Sequence, residues 1–217
     1  MNPFRKLVNN VKSILKKELP TKVTAKEFLM MIAENPAVFE HWETPLEITE
    51  FINCSHSNIT YLSKHLTFSG RNKDGETANF SNCANLKTAT GTFHGFANFY
   101  DSGIEKIEEL HITEIDKNSW AANFAECQKL RTATGTFPGV VSFFGSGIHT
   151  IENLHILKPG EDGTYGSFEC CSFLFSLKNW DLSKEIRVEP ELLKEEKKRR
   201  EIENFVKKTQ PQELPFL

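Results

Sequence analysis

A repeat of 44 residues is the feature that most constrains how this chain can fold. The segment from Ala78 to Ile112 recurs from Ala122 to Ile156, with 21 of 35 positions identical. Both copies contain the string TATGTF, then a glycine, the triplet SGI and the triplet LHI. A fixed period of this size is typical of stacked coils, in which each unit buries its apolar face against the next. Such a stack offers a binding surface rather than a catalytic cleft.

Each repeat divides into two shorter coils. Apolar residues follow the spacing of Ile107, Leu110 and Ile112, which suits a short strand preceded by a turn. The alternate coils carry Ala89 and Gly91 at the corresponding places. This spacing predicts strands near Thr88–Thr92, Glu109–Thr113, Thr132–Thr136 and Asn153–Leu157. Between the strands, an apolar ladder is expected from five recurring phenylalanines: Phe80, Phe99, Phe124, Phe143 and Phe168.

The segments ANFSNCANL (Ala78–Leu86) and ANFAECQKL (Ala122–Leu130) resemble leucine-rich-repeat proteins of the bacterial BspA-like subclass, whose units read A-F-x-x-C-x-x-L. The resemblance covers residues 46–177. It departs from the pattern in an extra Asn between the Ala and the Phe, and in the Ala and Gly of alternate coils. The resemblance implies an α/β repeat solenoid, a stack of about six or seven coils whose strand face binds macromolecules.

The two ends of the chain do not repeat. We expect a helical N-terminal cap over residues 1–45, a C-terminal cap with a charged helix over 178–208 and a flexible tail over 209–217. The first helix has a wide apolar face that includes Phe4, Leu7 and Val11, so it either covers the first coil or contacts a membrane or partner through its cations. Thr24 and Glu27 form a candidate capping box for a second helix.

The C-terminal helix contains a basic cluster, Lys197, Lys198, Arg199 and Arg200. The cluster has two interpretations, a nucleic-acid patch or a solvated helix surface. Glutamates flank it at positions 195, 196, 201 and 203. We favour the solvated helix with i,i+4 ion pairs.

Composition narrows the class of protein. The net charge of −3 gives the whole chain no electrostatic reason to bind nucleic acid, and no apolar run is long enough for a transmembrane helix. Cys83, Cys127 and Cys171 are 44 residues apart, and two strand spacings separate such positions by about 9–10 Å, beyond the reach of a disulfide. We therefore expect buried free thiols and a reducing, cytoplasmic compartment, which is compatible with delivery by a specialised secretion system. The role of the Cys170–Cys171 pair stays open.

The strand positions that alternate with the apolar residues are candidate binding residues, because they should face solvent. The predicted rows are Thr90, His111, Thr134 and His155; Thr92, Thr113, Thr136 and Leu157; and Thr88, Glu109, Thr132 and Asn153. Such rows are either a polar binding face or residues that simply suit exposed strands.

Motifs for phosphate, dinucleotide, metal or nucleophile chemistry do not occur. We therefore expect no enzyme, no catalytic residue, no metal and no cofactor. The predicted function is a microbial protein–protein interaction module with a protein partner that the sequence does not identify. The alternative is a peripheral nucleic-acid or membrane binder that uses the basic N-terminal helix.

Overall fold

A computed structural model describes residues 21–174, 177, 180–181 and 183–209, and the regular secondary structure of these residues is mostly β-strand. Fourteen strands and two helices lie along this part of the chain. In chain order they are β1 (Lys22–Val23), α1 (Ala25–Glu34), β2 (Leu46–Ile48), β3 (Ile52–Asn53), β4 (Leu66–Phe68), β5 (Glu76–Asn79), β6 (Thr88–Phe93), β7 (Phe96–Asn98), β8 (Lys106–Ile112), β9 (Trp120–Asn123), β10 (Thr132–Phe137), β11 (Val140–Ser142), β12 (Thr150–Ile156), β13 (Gly166–Ser167), β14 (Ile186–Arg187) and α2 (Pro190–Thr209).

The strands form three parallel sheets. A five-stranded sheet has the order β1-β2-β4-β6-β8, a two-stranded sheet pairs β10 with β12, and a seven-stranded sheet has the order β14-β13-β11-β9-β7-β5-β3. From β2 to β13, successive strands alternate between the seven-stranded sheet and one of the other two. Parallel neighbours need a long connection between them. Here the connections between paired strands from β2 to β13 each contain a strand of another sheet, whereas α1 connects β1 to β2.

The predicted fold class is wrong. The repeat predicted an α/β repeat solenoid, a leucine-rich-repeat-like stack with a helical N-terminal cap, whereas the described residues form three parallel sheets with only two helices. Segments outside the predicted strands contain β5, β7, β9 and β11 of the seven-stranded sheet. These strands read ETAN, FAN, WAAN and VVS. Three of them are rich in Ala and Asn, which have low strand propensity, and all are too short to show periodicity.

The N-terminal region also differs from the predicted helical cap. Strand β1 lies within it and pairs with β2 at the edge of the five-stranded sheet. The predicted capping box is confirmed, because Thr24 and Glu27 exchange hydrogen bonds at the start of α1. Phe28 and Ile32 are the buried residues of that helix. The predicted first helix, with Phe4 and Val11, lies outside the described residues.

The predicted phenylalanine ladder is confirmed. Each of its five residues directly follows a strand of the seven-stranded sheet and is fully buried. Successive ring centroids are 5.6, 5.1, 5.4 and 5.0 Å apart, and the ring planes are within 17° of parallel. Offset stacking of aromatic rings adds to the stabilisation that burial provides. The ladder therefore forms an aromatic spine between the sheets.

A second ladder explains the asparagine that departs from the BspA-like pattern. Asn53, Asn79, Asn98 and Asn123 end four strands of the seven-stranded sheet and lie in register. Each side-chain oxygen accepts a hydrogen bond from the backbone amide two residues later, at 3.0–3.1 Å. Asparagine makes such turns readily because its amide mimics a peptide group. The extra residue ends the strand and starts the turn.

The predicted buried thiols are confirmed. Cys83, Cys127 and Cys171 are buried, and all five cysteines are free. Their thiols donate to the carbonyl oxygens of Cys54, Phe99 and Phe143 at 3.1, 3.1 and 2.9 Å. No helix among the described residues is long and apolar enough to cross a membrane.

Candidate functional site

The strands that carry the predicted binding residues form where they were expected. Strands β6, β8, β10 and β12 include most of the four predicted ranges. Leu110 and Ile112 are buried in β8, and His111 between them is exposed. Ile151, Leu154 and Ile156 are buried in β12, and His155 is exposed. The assignment of inward and outward side chains is therefore correct for both histidine-bearing strands.

A row of threonine and histidine side chains crosses these strands. Thr67 of β4 is in register with Thr92 of β6, which is in register with His111 of β8. In the two-stranded sheet Thr136 is in register with His155. His111, Thr136 and His155 are exposed, and Thr67 and Thr92 are half-buried. We call these five residues the Thr/His row.

The predicted partners within the rows are wrong by two positions. Sequence analysis placed Thr90 beside His111 and Thr134 beside His155, but their register partners are Thr92 and Thr136. The register shows the reason: Ala89 and Gly91, which the predicted spacing matched to Leu110 and Ile112, pair with Ile107 and Leu110, and Phe93 pairs with Ile112. The register is also irregular in each strand pair, between Ala89 and Gly91 and between Ala133 and Gly135. The opposing strands contain Glu109 and Asn153 at φ of 50° and 49°. A residue in this left-handed region gives the strand one extra residue, as in a β-bulge.

The remaining predicted site residues differ in exposure. Glu109, Thr113 and Asn153 are exposed, and Thr132 and Thr134 are half-buried. For Thr88 and Thr90 the predicted exposure is wrong, since only 5% and 7% of their surface is accessible. The segment before β4 covers them: the Thr90 hydroxyl donates to the carbonyl oxygen of Leu62, and the Lys87 amide donates to that of Thr60 at 3.1 Å.

Thr88 and Thr90 line a pocket of about 520 Å³ beside β6. We call it the β6 pocket; its lining comprises residues 40–43 and 61–65, Thr88, Thr90 and Glu109. Hydrogen bonds fix its wall. The Trp42 indole N–H donates to the carbonyl oxygen of Thr44 at 2.7 Å, and the Ser63 hydroxyl donates to that of Trp42 at 2.6 Å. The pocket is therefore built from the non-repeating segment and the start of the first repeat.

Thr88 Oγ1 is a buried polar atom without a hydrogen-bond partner among the described residues. The second repeat shows why. There the equivalent hydroxyl, on Thr132, lies 3.5 Å from that of its register partner Thr150. In the first repeat the register partner of Thr88 is Lys106, which has no hydroxyl. Buried hydroxyls usually have a hydrogen-bond partner, so the unpartnered Thr88 hydroxyl makes the β6 pocket a candidate binding site.

A second pocket occupies the equivalent place one repeat later. It has a volume of about 630 Å³ and is lined by residues 105–107, Lys129, Arg131, Thr132, Thr134 and Glu152. We call it the β10 pocket. It lies beside β8 and β10, where the five-stranded sheet ends and the two-stranded sheet begins. The same strand framework therefore presents two pockets with different side chains.

Charged side chains lie at the mouth of the β6 pocket and at the edge of the five-stranded sheet. Lys64 Nζ lies 3.3 Å from a carboxylate oxygen of Glu109 at the mouth of the β6 pocket. At the edge of the five-stranded sheet, the Ser69 hydroxyl donates to Glu47 at 2.7 Å and Lys22 Nζ lies 2.9 Å away. The hydrogen bond from Ser69, followed by that from Lys22, lowers the pKa of Glu47. The half-buried carboxylate therefore stays ionised at neutral pH.

Sequence reasoning missed Thr67 and most of the β6 pocket. Residues 40–43 and 61–65 lie outside the repeated segments, so no periodic pattern identifies them. A signal for Thr67 existed in LTF, whose central residue lies between two buried ones. No signal could have placed Trp42 and Thr88 in the lining of one pocket, because that arrangement depends on how the non-repeating segment packs.

Among the described residues, no group of three or more His, Cys, Asp or Glu side chains is placed to hold a metal ion. Comparison with known proteins gives no match to this chain, whether to a family model, a curated protein or a solved structure. The resemblance to leucine-rich-repeat proteins stays a prediction, and function must be inferred from the geometry of these surfaces.

Proposed function

We propose that this protein is a non-enzymatic interaction module that binds a protein partner through the strand face formed by β6, β8, β10 and β12. The observation that carries the proposal is the Thr/His row, in which exposed and half-exposed side chains lie in register within each of the two sheets, Thr67, Thr92 and His111 in one and Thr136 and His155 in the other. Hydroxyl and imidazole groups both donate and accept hydrogen bonds. A flat row of such groups suits the polar surface of another protein.

The other proposed contact residues extend this face. Glu109, Thr113 and Asn153 are exposed beside the row, and Thr132 and Thr134 line the β10 pocket. Thr88 and Thr90 take part through the β6 pocket, since they are buried in its wall. The face thus combines a shallow row with two pockets, a shape that lets a partner insert anchor side chains.

The surroundings of the cysteines support a function without covalent chemistry. Burial raises the pKa of the Cys127 thiol to about 11, and burial likewise raises the pKa of Cys83 and Cys171. The thiolate is the nucleophilic form of cysteine. At neutral pH these three residues are therefore unreactive thiols that fill the core.

Affinity capture with purified variants tests the proposal. His111→Glu plus His155→Glu places two carboxylates on the Thr/His row and should abolish capture of the partner retained by the native protein. A matched control, Asn58→Glu plus Asn85→Glu, adds the same charge at exposed positions outside the strands and should capture normally. Equal capture by both double variants would exclude the strand face as the binding surface.

The same complex also separates this proposal from binding through the basic N-terminal helix, which lies outside the described residues. Binding to phosphates weakens steeply with salt, because condensed counterions are released. Binding through hydroxyl and imidazole groups should change little with salt concentration. We expect capture by the native protein to change by less than about threefold between 50 and 200 mM salt, against about 10³-fold or more for a multi-phosphate contact.

A further inference from the structure

We propose that the β6 pocket is a binding site for a cationic side chain, a lysine or an arginine presented by the partner. The inference rests on the proposed function for the source of this side chain. The site itself is inferred from three properties of the pocket: an excess of carboxylates, two aromatic rings and the unpartnered hydroxyl of Thr88.

The charge of the lining favours a cation. Glu40, Glu43 and Glu109 contribute three carboxylates, while Lys64 contributes one ammonium group. With neutral histidines the lining has a net charge of −2, from three negative charges and one positive. The Lys64–Glu109 pair is more than half exposed on both side chains, so it is weak and screened. An incoming cation can therefore share Glu109.

Two aromatic residues strengthen the case. Trp42 and Tyr61 line the pocket and are half-buried. The Trp42 ring is held in place by an edge contact with Phe39, with centroids 5.8 Å apart, and by its indole hydrogen bond to Thr44. Aromatic faces attract ammonium and guanidinium groups, Trp most strongly. Rings next to carboxylates thus suit a cation with an apolar stem, the structure of lysine and arginine side chains.

The unpartnered hydroxyl supplies the observation that is independent of charge. Thr88 is 5% exposed, lies on the pocket wall, and its Oγ1 has no hydrogen-bond partner among the described residues. An unsatisfied buried polar group is unfavourable. An N–H of an ammonium or guanidinium group would satisfy its lone pairs with a charge-assisted hydrogen bond. Thr88 is therefore a proposed ligand-binding residue.

The β10 pocket is a natural control within the same molecule. Lys106, Lys129 and Arg131 contribute three positive charges there, against two negative charges from Glu105 and Glu152. Its lining thus has a net charge of +1, and the Thr132 hydroxyl already lies beside that of Thr150. The β10 pocket should not bind a cation, although both pockets are built on equivalent strands.

Nuclear magnetic resonance titration of the full chain tests the inference without the partner. The probes are the blocked amino acids N-acetyl-lysine amide, N-acetyl-arginine amide and, as an uncharged isostere of lysine, N-acetyl-norleucine amide. We expect the Trp42 indole N–H, assigned with Trp42→Phe, and the amides of residues 61–65 to shift with the lysine or the arginine probe. The probe that binds more tightly identifies whether the pocket prefers lysine or arginine. Shifts by norleucine equal to those by both cations, or shifts confined to the β10 pocket, would overturn the proposal.

Two charge variants should change the affinity for the cation probe in opposite directions. Glu43→Gln removes a carboxylate and should weaken cation binding by about fivefold, whereas Lys64→Gln removes the competing ammonium and should strengthen it by a similar factor. Thr88→Val should weaken binding, and Thr132→Val should leave it unchanged. If Lys64→Gln weakens binding instead, the charge argument is wrong. The titration contains no partner, so an absence of cation binding would count against the β6 pocket alone and not against the Thr/His row. Loss of partner capture would likewise count against the Thr/His row and not against cation binding in the β6 pocket.

Discussion

Thr88 and Thr90 are the same residue type on the same side of one strand, but their hydroxyl groups have different surroundings. Thr90 donates to the Leu62 carbonyl oxygen, whereas Thr88 Oγ1 has no partner among the described residues. Both side chains are more than nine-tenths buried. Comparing Thr88 with Thr90 therefore isolates the contribution of a single hydrogen bond at two equally buried positions of one strand.

Replacing each threonine with valine should give different stabilities. Thr88→Val substitutes a methyl group for an unsatisfied hydroxyl, so the free energy of unfolding should be unchanged or raised by up to about 1 kcal/mol. Thr90→Val leaves the Leu62 carbonyl oxygen without its donor and should lower the free energy of unfolding by about 1–3 kcal/mol. Urea denaturation of both variants measures the two values. A larger loss for Thr88→Val than for Thr90→Val would mean that the Thr88 hydroxyl is paired.

The cysteines give a second prediction at this scale. Cys170 is exposed, whereas its neighbour Cys171 and the three others are buried. Burial raises the pKa of Cys54, Cys83, Cys127 and Cys171, so they stay protonated at mildly alkaline pH. Iodoacetamide at about pH 8 should therefore modify one thiol of the native protein, at Cys170, and all five after denaturation. Modification counted by mass spectrometry checks this, and Cys170→Ser should leave none reactive in the native state.

Strand β8 shows what the repeat pattern can and cannot predict. The spacing of Ile107, Leu110 and Ile112 places the strand and its buried side correctly. The pairing of β8 with β6 could not be predicted from this spacing, because Glu109 at φ 50° adds a residue to β8. A repeat copies such an irregularity, with Asn153 at the same place in β12, so comparing the two copies cannot detect it.

The seven-stranded sheet was missed for a different reason. Ala78, Ala97 and Ala122 are in register and fully buried, but alanine carries little strand signal. The small side chains leave space for the large rings that follow each strand, such as Phe80 and Phe99. Phenylalanine spacing therefore predicted the spine, while the strands that position it gave no separate pattern.

Neighbouring positions in β8 should respond in opposite ways to substitution. Leu110→Ala removes a side chain that is 7% exposed and should lower the free energy of unfolding by about 2–5 kcal/mol, because a cavity remains. His111→Glu changes an exposed side chain and should alter it by less than about 0.5 kcal/mol. Thermal or urea unfolding compares the two. Strong destabilisation by His111→Glu would show that this histidine faces the core.

At the scale of the whole molecule, helix α2 is joined to the preceding segment through an ion-pair network around the buried carboxylate of Glu196. Glu196 is 4% exposed and accepts hydrogen bonds from Arg199 at 2.5 Å and Arg200 at 2.6 Å. Arg200 also donates to the carbonyl oxygens of Leu177 and Trp180 at 2.6 and 2.7 Å. Arg200 therefore anchors the helix to backbone carbonyl groups outside it, and Arg199 forms ion pairs within it, which fits the ion-paired helix rather than a nucleic-acid patch.

This network makes the stability of the protein depend on pH through Glu196. Burial alone would raise the pKa of Glu196, but hydrogen bonds from Arg199 and Arg200 outweigh it and hold that pKa below its usual range. A carboxylate with a lowered pKa in the folded state stabilises fully above its unfolded pKa of about 4.5, and the contribution is lost as pH falls through the folded value.

Glu196→Gln should therefore lower the free energy of unfolding by about 1–3 kcal/mol between about pH 5 and 7, where the native carboxylate is charged. The difference between native protein and variant should shrink as the pH falls below about 4.5, because protonation then neutralises the native side chain as well. Glu195→Gln, on the exposed side of the same helix, should show no such difference at any pH. Urea unfolding of the three proteins across this pH range measures the effect. A difference for Glu196→Gln that stays constant down to about pH 3 would assign the anchoring of α2 to packing rather than to charge, because only an ionised carboxylate can lose its partners by protonation.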